Sequence, residues 1–147
     1  FYNTAKKELA DGTFHLLTDT LKVMLVTSTY VPNADDDVVD AGGASDALDA
    51  EIAVTGYVGG WGGAGRKTLG TKAITTDDAN DRAEFDAADL TWTALAAGVT
   101  IAAAILIKEG AANDTTSRVI AYFDLADTAT NGGDYTINWN AEGLLNL

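Results

Sequence analysis

The sequence predicts a mainly β protein, an antiparallel β-sandwich or jelly-roll-like domain with a short N-terminal helix. Six apolar or alternating segments support this prediction, because each ends in a turn rich in Asp, Asn, Gly or Thr. These segments are 20–26, 82–85, 90–95, 99–107, 118–125 and 135–140. The links 108–117 and 126–134 are typical of hairpins, which favours antiparallel pairing. We therefore expect roughly seven to nine short strands.

The first elements are a helix and a central strand. Tyr2, Ala5 and Leu9 share one helical face, and Gly12 can end the helix, which predicts a helix over Asn3–Ala10. The following segment, 21–26, is apolar at every position except its second. This pattern indicates a strand that is covered on both faces.

Residues from about 31 to 66 predict a long loop region, acidic in its first half and glycine-rich in its second. Within it, Ser45 could begin a brief helix, or residues 52–54 could start a strand. The 56–65 segment contains G-x-G-x-x-G, but no helical pattern follows to hold a pyrophosphate, so a nucleotide site is not expected. We interpret this segment as a loop that Tyr57 and Trp61 anchor against the body.

The second half of the chain shows clear strand alternation. In 82–86, apolar and charged residues alternate, as in a strand with one wet face. In 99–107, isoleucines fill one face and alanines with a leucine fill the other, so this strand should be buried on both sides. The inward positions of 118–125 and 135–140 supply two further apolar faces.

The size of the chain predicts a single β-rich domain over residues 1–147. Its 147 residues are 47% hydrophobic, which is enough for a core of its own. There is no cysteine, so neither disulfides nor thiolate metal sites can form. The longest apolar stretch, 99–107, is far shorter than the roughly 20 residues needed to cross a bilayer.

The strong negative charge limits the partners. With 22 acidic and 9 basic residues, the formal net charge is −13. Phosphate backbones and anionic membranes repel such a chain, so we expect no nucleic-acid or membrane partner. Asp35, Asp36, Asp37 and Asp40 make the acidic loop a candidate Ca²⁺ site on composition, although the EF-hand pattern fails.

The chemistry of the side chains does not indicate an enzyme. The sole histidine, His15, lies among apolar residues and is interpreted as a packed or capping residue. No serine lies in a nucleophile elbow, and no pair of carboxylates has an apolar setting typical of glycosidases. We expect no catalytic residues, no resident cofactor and no metal site beyond the candidate Ca²⁺ loop.

Several motifs resemble small virion proteins of tailed bacteriophages, some of which are head decoration or cement proteins. They are residues 5–12, Thr-Asp-Thr-Leu-Lys-Val-Met-Leu-Val at 18–26 with Tyr30, Glu51, Gly56-Tyr57, Phe-Asp-Ala-Ala-Asp-Leu-Thr-Trp at 85–92, Ile-Leu-Ile-Lys at 105–108, Ile-Ala-Tyr-Phe-Asp at 120–124, Tyr-Thr-Ile-Asn-Trp-Asn at 135–140 and the terminal residues 143–147. The resemblance implies a structural component of the virion. Because a negative surface is tolerable on the outside of a particle and unfavourable against packaged DNA, we expect a capsid decoration protein on the outer surface of the virion head. Its partners would be the major capsid protein and copies of itself, for example as a trimer.

The candidate partner contacts follow from surface chemistry. Lys6 and Lys7 could contact the shell, as could the apolar 144–147 segment with Leu145 and Leu147, by adding to a sheet edge. The alternative function is a tail or fibre module that binds host surface glycans. In that case Tyr57 and Trp61 would be the exposed aromatics.

Overall fold

The computed structural model describes residues 1–147 and confirms a mainly β chain with antiparallel sheets in a sandwich-like arrangement. One helix precedes nine strands. The elements are α1 (Asn3–Ala10), β1 (Leu21–Val26), β2 (Lys67–Thr68), β3 (Ala73–Asp77), β4 (Arg82–Asp86), β5 (Leu90–Trp92), β6 (Thr100–Lys108), β7 (Arg118–Ala129), β8 (Tyr135–Ile137) and β9 (Leu145–Asn146). The structure contains no helix with the length and apolarity needed to span a bilayer.

Helix α1 has the predicted bounds and the predicted end. Gly12 adopts a φ of +77°, and the N–H groups of Thr13 and Phe14 both donate to the carbonyl oxygen of Glu8. A left-handed glycine after the last turn satisfies carbonyls that would otherwise lack partners. Tyr2 and Ala5 are buried, and α1 packs against β7.

The largest sheet has four strands in the order β2-β1-β6-β7, and all its pairs are antiparallel. Every residue of β6 from Ile101 to Ile107 is buried, as the two apolar faces predicted. In β1, only Lys22 is not fully buried. These two strands run through one core cluster of 32 buried residues.

The six predicted strands are present, and three further strands were not predicted. Strands β2 and β9 have only two residues each, too few to show a period. Strand β3 lies at a sheet edge and is exposed at four of its five positions, so it lacks the alternation of a half-buried strand. Pairing with neighbours, not local pattern, makes these segments strands.

The prediction that 126–134 forms a hairpin link is wrong. Strand β7 continues to Ala129, and β8 pairs with β5. The reason lies in the connection, where the Thr130 N–H donates to the Val99 carbonyl and the Leu95 N–H donates to the Gly133 carbonyl. These bonds turn the chain away from β7 and toward β5.

The 31–66 region contains no helix and no extended strand. The helix considered from Ser45 and the strand considered at 52–54 are both absent. Instead, Glu51 bridges Val26 and Val54 bridges Tyr57 as isolated pairs. The region therefore follows the sheet edge as an irregular but hydrogen-bonded loop.

Candidate functional site

An open apolar groove lies between α1, the 14–18 segment, β3 and Leu147. It has a volume of about 540 Å³, and an adjoining hollow of about 320 Å³ shares Leu9 and Leu147 with it. We call this surface the apolar groove. Its lining residues are Phe1, Lys6, Leu9, Ala10, Phe14, His15, Leu16, Leu17, Thr18, Ile74, Asn146 and Leu147.

The apolar groove concentrates the exposed hydrophobic surface of the chain. Six large apolar side chains are exposed in the whole structure, and three of them line this groove. Leu17 is 48% exposed, Ile74 40% and Leu147 44%. Exposed apolar side chains scattered singly are ordinary, whereas a contiguous group is typical of an interaction site.

The 14–18 segment is held so that its side chains alternate between core and groove. Phe14 and Leu16 are buried, which leaves Leu17 exposed. Asp19 closes the segment, because its carboxylate accepts the N–H of His15 at 2.8 Å and the Nζ of Lys108 at 2.7 Å. Burial would raise the pKa of Asp19, but these bonds outweigh it and lower the pKa, so the carboxylate stays ionised.

His15 was expected to be packed or capping, and its side chain is instead exposed at the groove. Its two neighbours, Phe14 and Leu16, occupy the inward positions, which leaves the imidazole outside. Only the backbone of His15 takes part in closing the turn. Its N–H donates to the Asp19 carboxylate, and its carbonyl accepts the Asp19 N–H at 3.0 Å.

Strand β3 forms one wall of the groove. Ile74 is paired with Phe85, and Phe85 is paired with Leu145, so the three side chains lie on one face of the β3-β4-β9 sheet. Phe85 and Leu145 are buried, whereas Ile74, on the edge strand, is not covered. The apolar face of this sheet therefore runs from the core out into the groove.

The structure brings two of the predicted contact residues together. Lys6 and Leu147 line the same hollow although they come from opposite ends of the sequence. Lys7 lies outside the groove and pairs with Asp11 at 2.7 Å on the helix surface. Sequence reasoning missed Leu17 and Ile74, since nothing in their local pattern shows that they stay uncovered.

Leu145 is not available as a partner contact, which corrects that prediction. It is 7% exposed and lies in β9, which adds to β4 of the same chain. The apolar 144–147 segment was predicted to contact the shell by adding to a sheet edge, whereas its residues 145–146 pair with β4 of the same chain. Within this segment, only Asn146 and Leu147 line the groove.

The 56–65 loop offers only one of its two aromatics to solvent. Tyr57 is 5% exposed, and its hydroxyl donates to Glu51 at 2.8 Å and accepts the Leu25 N–H at 3.2 Å. Burial, together with the nearby Glu51 charge, raises the pKa of Tyr57 well above its usual value. The interpretation of Tyr57 as an anchor is right, and its role as an exposed glycan contact is wrong. Trp61 is 46% exposed, with its Nε1 donating to the Gly110 carbonyl at 2.7 Å.

A buried ionic network lies next to this loop. The Arg66 side chain has no exposed surface and donates to Glu51 and to Asp114, with Glu109 at 3.8 Å. Burial alone would lower the pKa of the guanidinium, but the bonds to Glu51 and Asp114 raise it, so Arg66 is charged. The one sequence signal for this network is that Arg66 is the first base after the base-free 23–65 region.

The carboxylates of the acidic loop hold the loop in place. Asp35 accepts the Asn3 amide at 2.8 Å, Asp36 accepts the Tyr30 hydroxyl at 2.8 Å, and Asp37 accepts the Thr4 hydroxyl. No group of three or more His, Cys, Asp or Glu side chains in the structure is arranged to hold a metal ion. Calcium at this loop stays a prediction from composition.

Comparison with protein-family models, with curated proteins and with solved structures finds no match to this chain. Function is therefore inferred from the surface of the chain itself. The groove contains one titratable ring, that of His15, among mostly apolar side chains. Such a surface suits the burial of apolar side chains from another protein.

Proposed function

We propose that this chain is a structural protein of a tailed-bacteriophage virion, a decoration or cement protein that binds the outer surface of the head and stabilises the shell. The observation that carries this proposal is the apolar groove, with three exposed large apolar side chains on a chain of net charge −13. The motif resemblance supports the virion context. The major capsid protein and neighbouring copies of the chain are the proposed partners.

The charge supports an outward position on the particle. A chain with 22 acidic against 9 basic residues would be repelled by packaged DNA. On the outside of a shell the same charge keeps a crowded coat soluble. Covering the groove would remove its apolar side chains from water without bringing the acidic loops against nucleic acid.

The size of the groove suits a repeated, shared contact. Full burial of a Leu or Ile side chain contributes about 1.5–3 kcal/mol, and Leu17 and Ile74 are already about half covered. Each would then add only about 1 kcal/mol. A shell offers many symmetry-related sites. Subunits that bridge these sites gain from multivalency the binding affinity that a single contact lacks.

The deciding experiment compares virions purified with and without this chain. We expect particles that lack it to lose their DNA at a lower temperature and to be less resistant to low ionic strength, because repulsion within the packaged DNA grows as salt falls. Unchanged resistance to both treatments would argue against a cementing role. The copy number per virion checks the position, since a coat requires many copies and a tail tip requires few.

Groove variants test whether the apolar groove makes the contact. The double variant Leu17→Ser/Ile74→Thr should lose binding to stripped virions, because it removes two of the exposed apolar side chains. The matched control is Val31→Ser/Val58→Thr, which changes two exposed apolar residues that lie outside the groove at 75% and 64% exposure. Equal binding by the two double variants would contradict the role of the groove.

A glycan-binding tail module is the second candidate, and Trp61 is the observation that favours it. The indole is exposed but held by its bond to Gly110, so its ring could stack on a sugar without further ordering. Binding on a glycan array that is lost in Trp61→Ala would support this candidate. Binding that survives in Trp61→Ala would reject this site.

A further inference from the structure

The outer edge of β3 has free backbone hydrogen-bonding groups. The N–H groups of Ala83 and Leu147 each donate to the carbonyl of the other residue, so the backbone of Ala83 faces away from β3. Because backbone groups alternate along a strand, Arg82, Glu84 and Asp86 face β3 and bond their partners Asp77, Thr75 and Ala73. The N–H and C=O groups of Ile74 and Thr76 therefore point outward.

This edge has no partner within the chain. Strand β3 is the outermost strand of its sheet and pairs with β4 alone. No loop of the chain hydrogen-bonds the backbone of Ile74 or Thr76. Unpaired edge groups of this kind are a template for an added strand.

The two faces of the sheet differ in chemistry beside this edge. Ile74 and Thr76 point to the face that forms the apolar groove. The opposite face carries Asp77, Glu84 and Asp86 with a single base, Arg82, because directly paired residues share a face. Arg82 is already paired with Glu84 at 2.7 Å and with Glu142 at 2.9 Å. That face is therefore negative.

We propose that an extended segment of a partner protein adds to the edge of β3 as a fourth strand, with apolar side chains toward the apolar groove and Lys or Arg on the opposite face. The outward groups of Ile74 and Thr76 would bond its backbone. Its apolar side chains would cover Leu17 and Ile74, and its basic side chains would neutralise the negative face. The identification of the partner as a shell protein rests on the proposed function. The predicted chemistry of the added segment does not rest on it.

Charge makes a second copy of this chain a poorer fit to the edge of β3 than a basic segment. Pairing β3 with β3 of another copy would place two negative faces side by side, and like charges directly opposite destabilise a sheet. The two chains would also each bring a net charge of −13. A basic strand has neither cost, because its Lys or Arg side chains would be attracted to the acidic side chains of the negative face.

The test uses designed peptides and backbone amide NMR of the full chain. The probe is Lys-Val-Lys-Val-Arg-Ile-Lys, and the comparison peptide has Glu at every basic position. We expect shifts at the amides of Ile74 and Thr76 with the basic peptide, and about tenfold weaker binding by the acidic peptide at low ionic strength. Shifts confined to the 56–65 loop, or equal affinity for both peptides, would overturn the proposal.

Variants at Thr76 separate strand addition from ordinary surface contact. Thr76→Pro removes an outward N–H, and an edge strand tolerates proline there, since this N–H does not bond β4. Thr76→Ala removes the same side chain but keeps the N–H. We expect Thr76→Pro to bind the basic peptide about tenfold more weakly than Thr76→Ala, with unchanged amide exchange in β6 showing that both are folded. Equal binding by the two variants would overturn strand addition.

Virion binding keeps the two proposals distinguishable. If stripped virions bind Thr76→Pro and Thr76→Ala equally well, strand addition is rejected and the decoration role stands. If the basic peptide binds as expected but the chain is absent from virions, the strand site stands and the decoration role is rejected. Dimers of the free chain that Thr76→Pro abolishes would identify a second copy as the occupant and overturn the basic-partner proposal.

Discussion

Arg66 donates two hydrogen bonds to Glu51, from Nε at 2.9 Å and from Nη2 at 2.7 Å, and so joins the two ends of the glycine-rich 56–65 loop. The same guanidinium donates to Asp114 in the β6–β7 turn at 2.6 and 3.1 Å. One buried side chain thus fastens the loop to the hairpin of the central sheet.

Arg66→Met should destabilise the chain strongly. It leaves Glu51 and Asp114 as buried charges without a cationic partner, although Glu51 keeps the bonds from Tyr57 and Gly60. Breaking a buried ion pair in this way costs about 3–5 kcal/mol. Urea unfolding would measure the loss. The control is Arg82→Met, whose ion pairs with Glu84 and Glu142 are partly open to solvent, and it should cost much less. Equal losses from the two variants would contradict a special role for the buried network.

Gly65→Ala should destabilise the loop, because an added Cβ would lie 2.8 Å from the Tyr57 ring and from the Val58 carbonyl. Crowding of this kind costs about 1–3 kcal/mol in the free energy of unfolding. Gly70→Ala is the matched control, since nothing lies within 4 Å of its Cβ position. Thermal unfolding should shift for the first variant alone, and equal shifts would refute the close approach at Gly65.

Alkaline pH should unfold the chain through its tyrosines. Burial raises the pKa of Tyr2 to about 12, and burial together with the hydrogen bond shared with Tyr2 raises the pKa of Tyr30 as well. In the unfolded chain tyrosine ionises near pH 10, so this stability is fully present below about pH 10 and is lost as pH rises toward 12. Tyrosinate absorbance should rise together with unfolding.

Tyr2→Phe provides the comparison for the alkaline transition. It removes one ionising group from the pair, so stability should fall less steeply with pH above 10. Tyrosinate formation near pH 10 in a chain that stays folded would contradict the raised pKa values.

Leu145→Ala and Leu147→Ala should separate folding from binding. Leu145 is buried against Phe85, so its truncation should cost about 2–4 kcal/mol of unfolding free energy. Leu147 is 44% exposed in the groove, so its truncation should change stability little and weaken attachment to virions. Denaturant unfolding and virion binding measure the two effects, and a reversed pattern would place the partner contact at Leu145.

The apolar groove shows which contact residues the local sequence pattern can predict in this chain and which it cannot. Lys6 and Leu147 were predicted as contacts from charge and apolarity, and they do line one hollow. Leu17 and Ile74 were missed, because a single apolar residue in a turn or an edge strand carries no local sign of exposure. Tyr57 and Leu145 were predicted as contacts for their apolar character and are buried for the same reason.

The sequence by itself determined helix α1, the six apolar strands and the acidic character of the surface, because spacing and charge are local properties of neighbouring residues. Only the tertiary structure decided that β8 pairs with β5, that β9 completes the sheet of β4, and that β3 is left with a free edge. Strand pairing depends on hydrogen bonds between segments far apart in the chain, and short strands carry no local sign of their partners. The groove arises from those pairings, so its position was decided by tertiary structure as well.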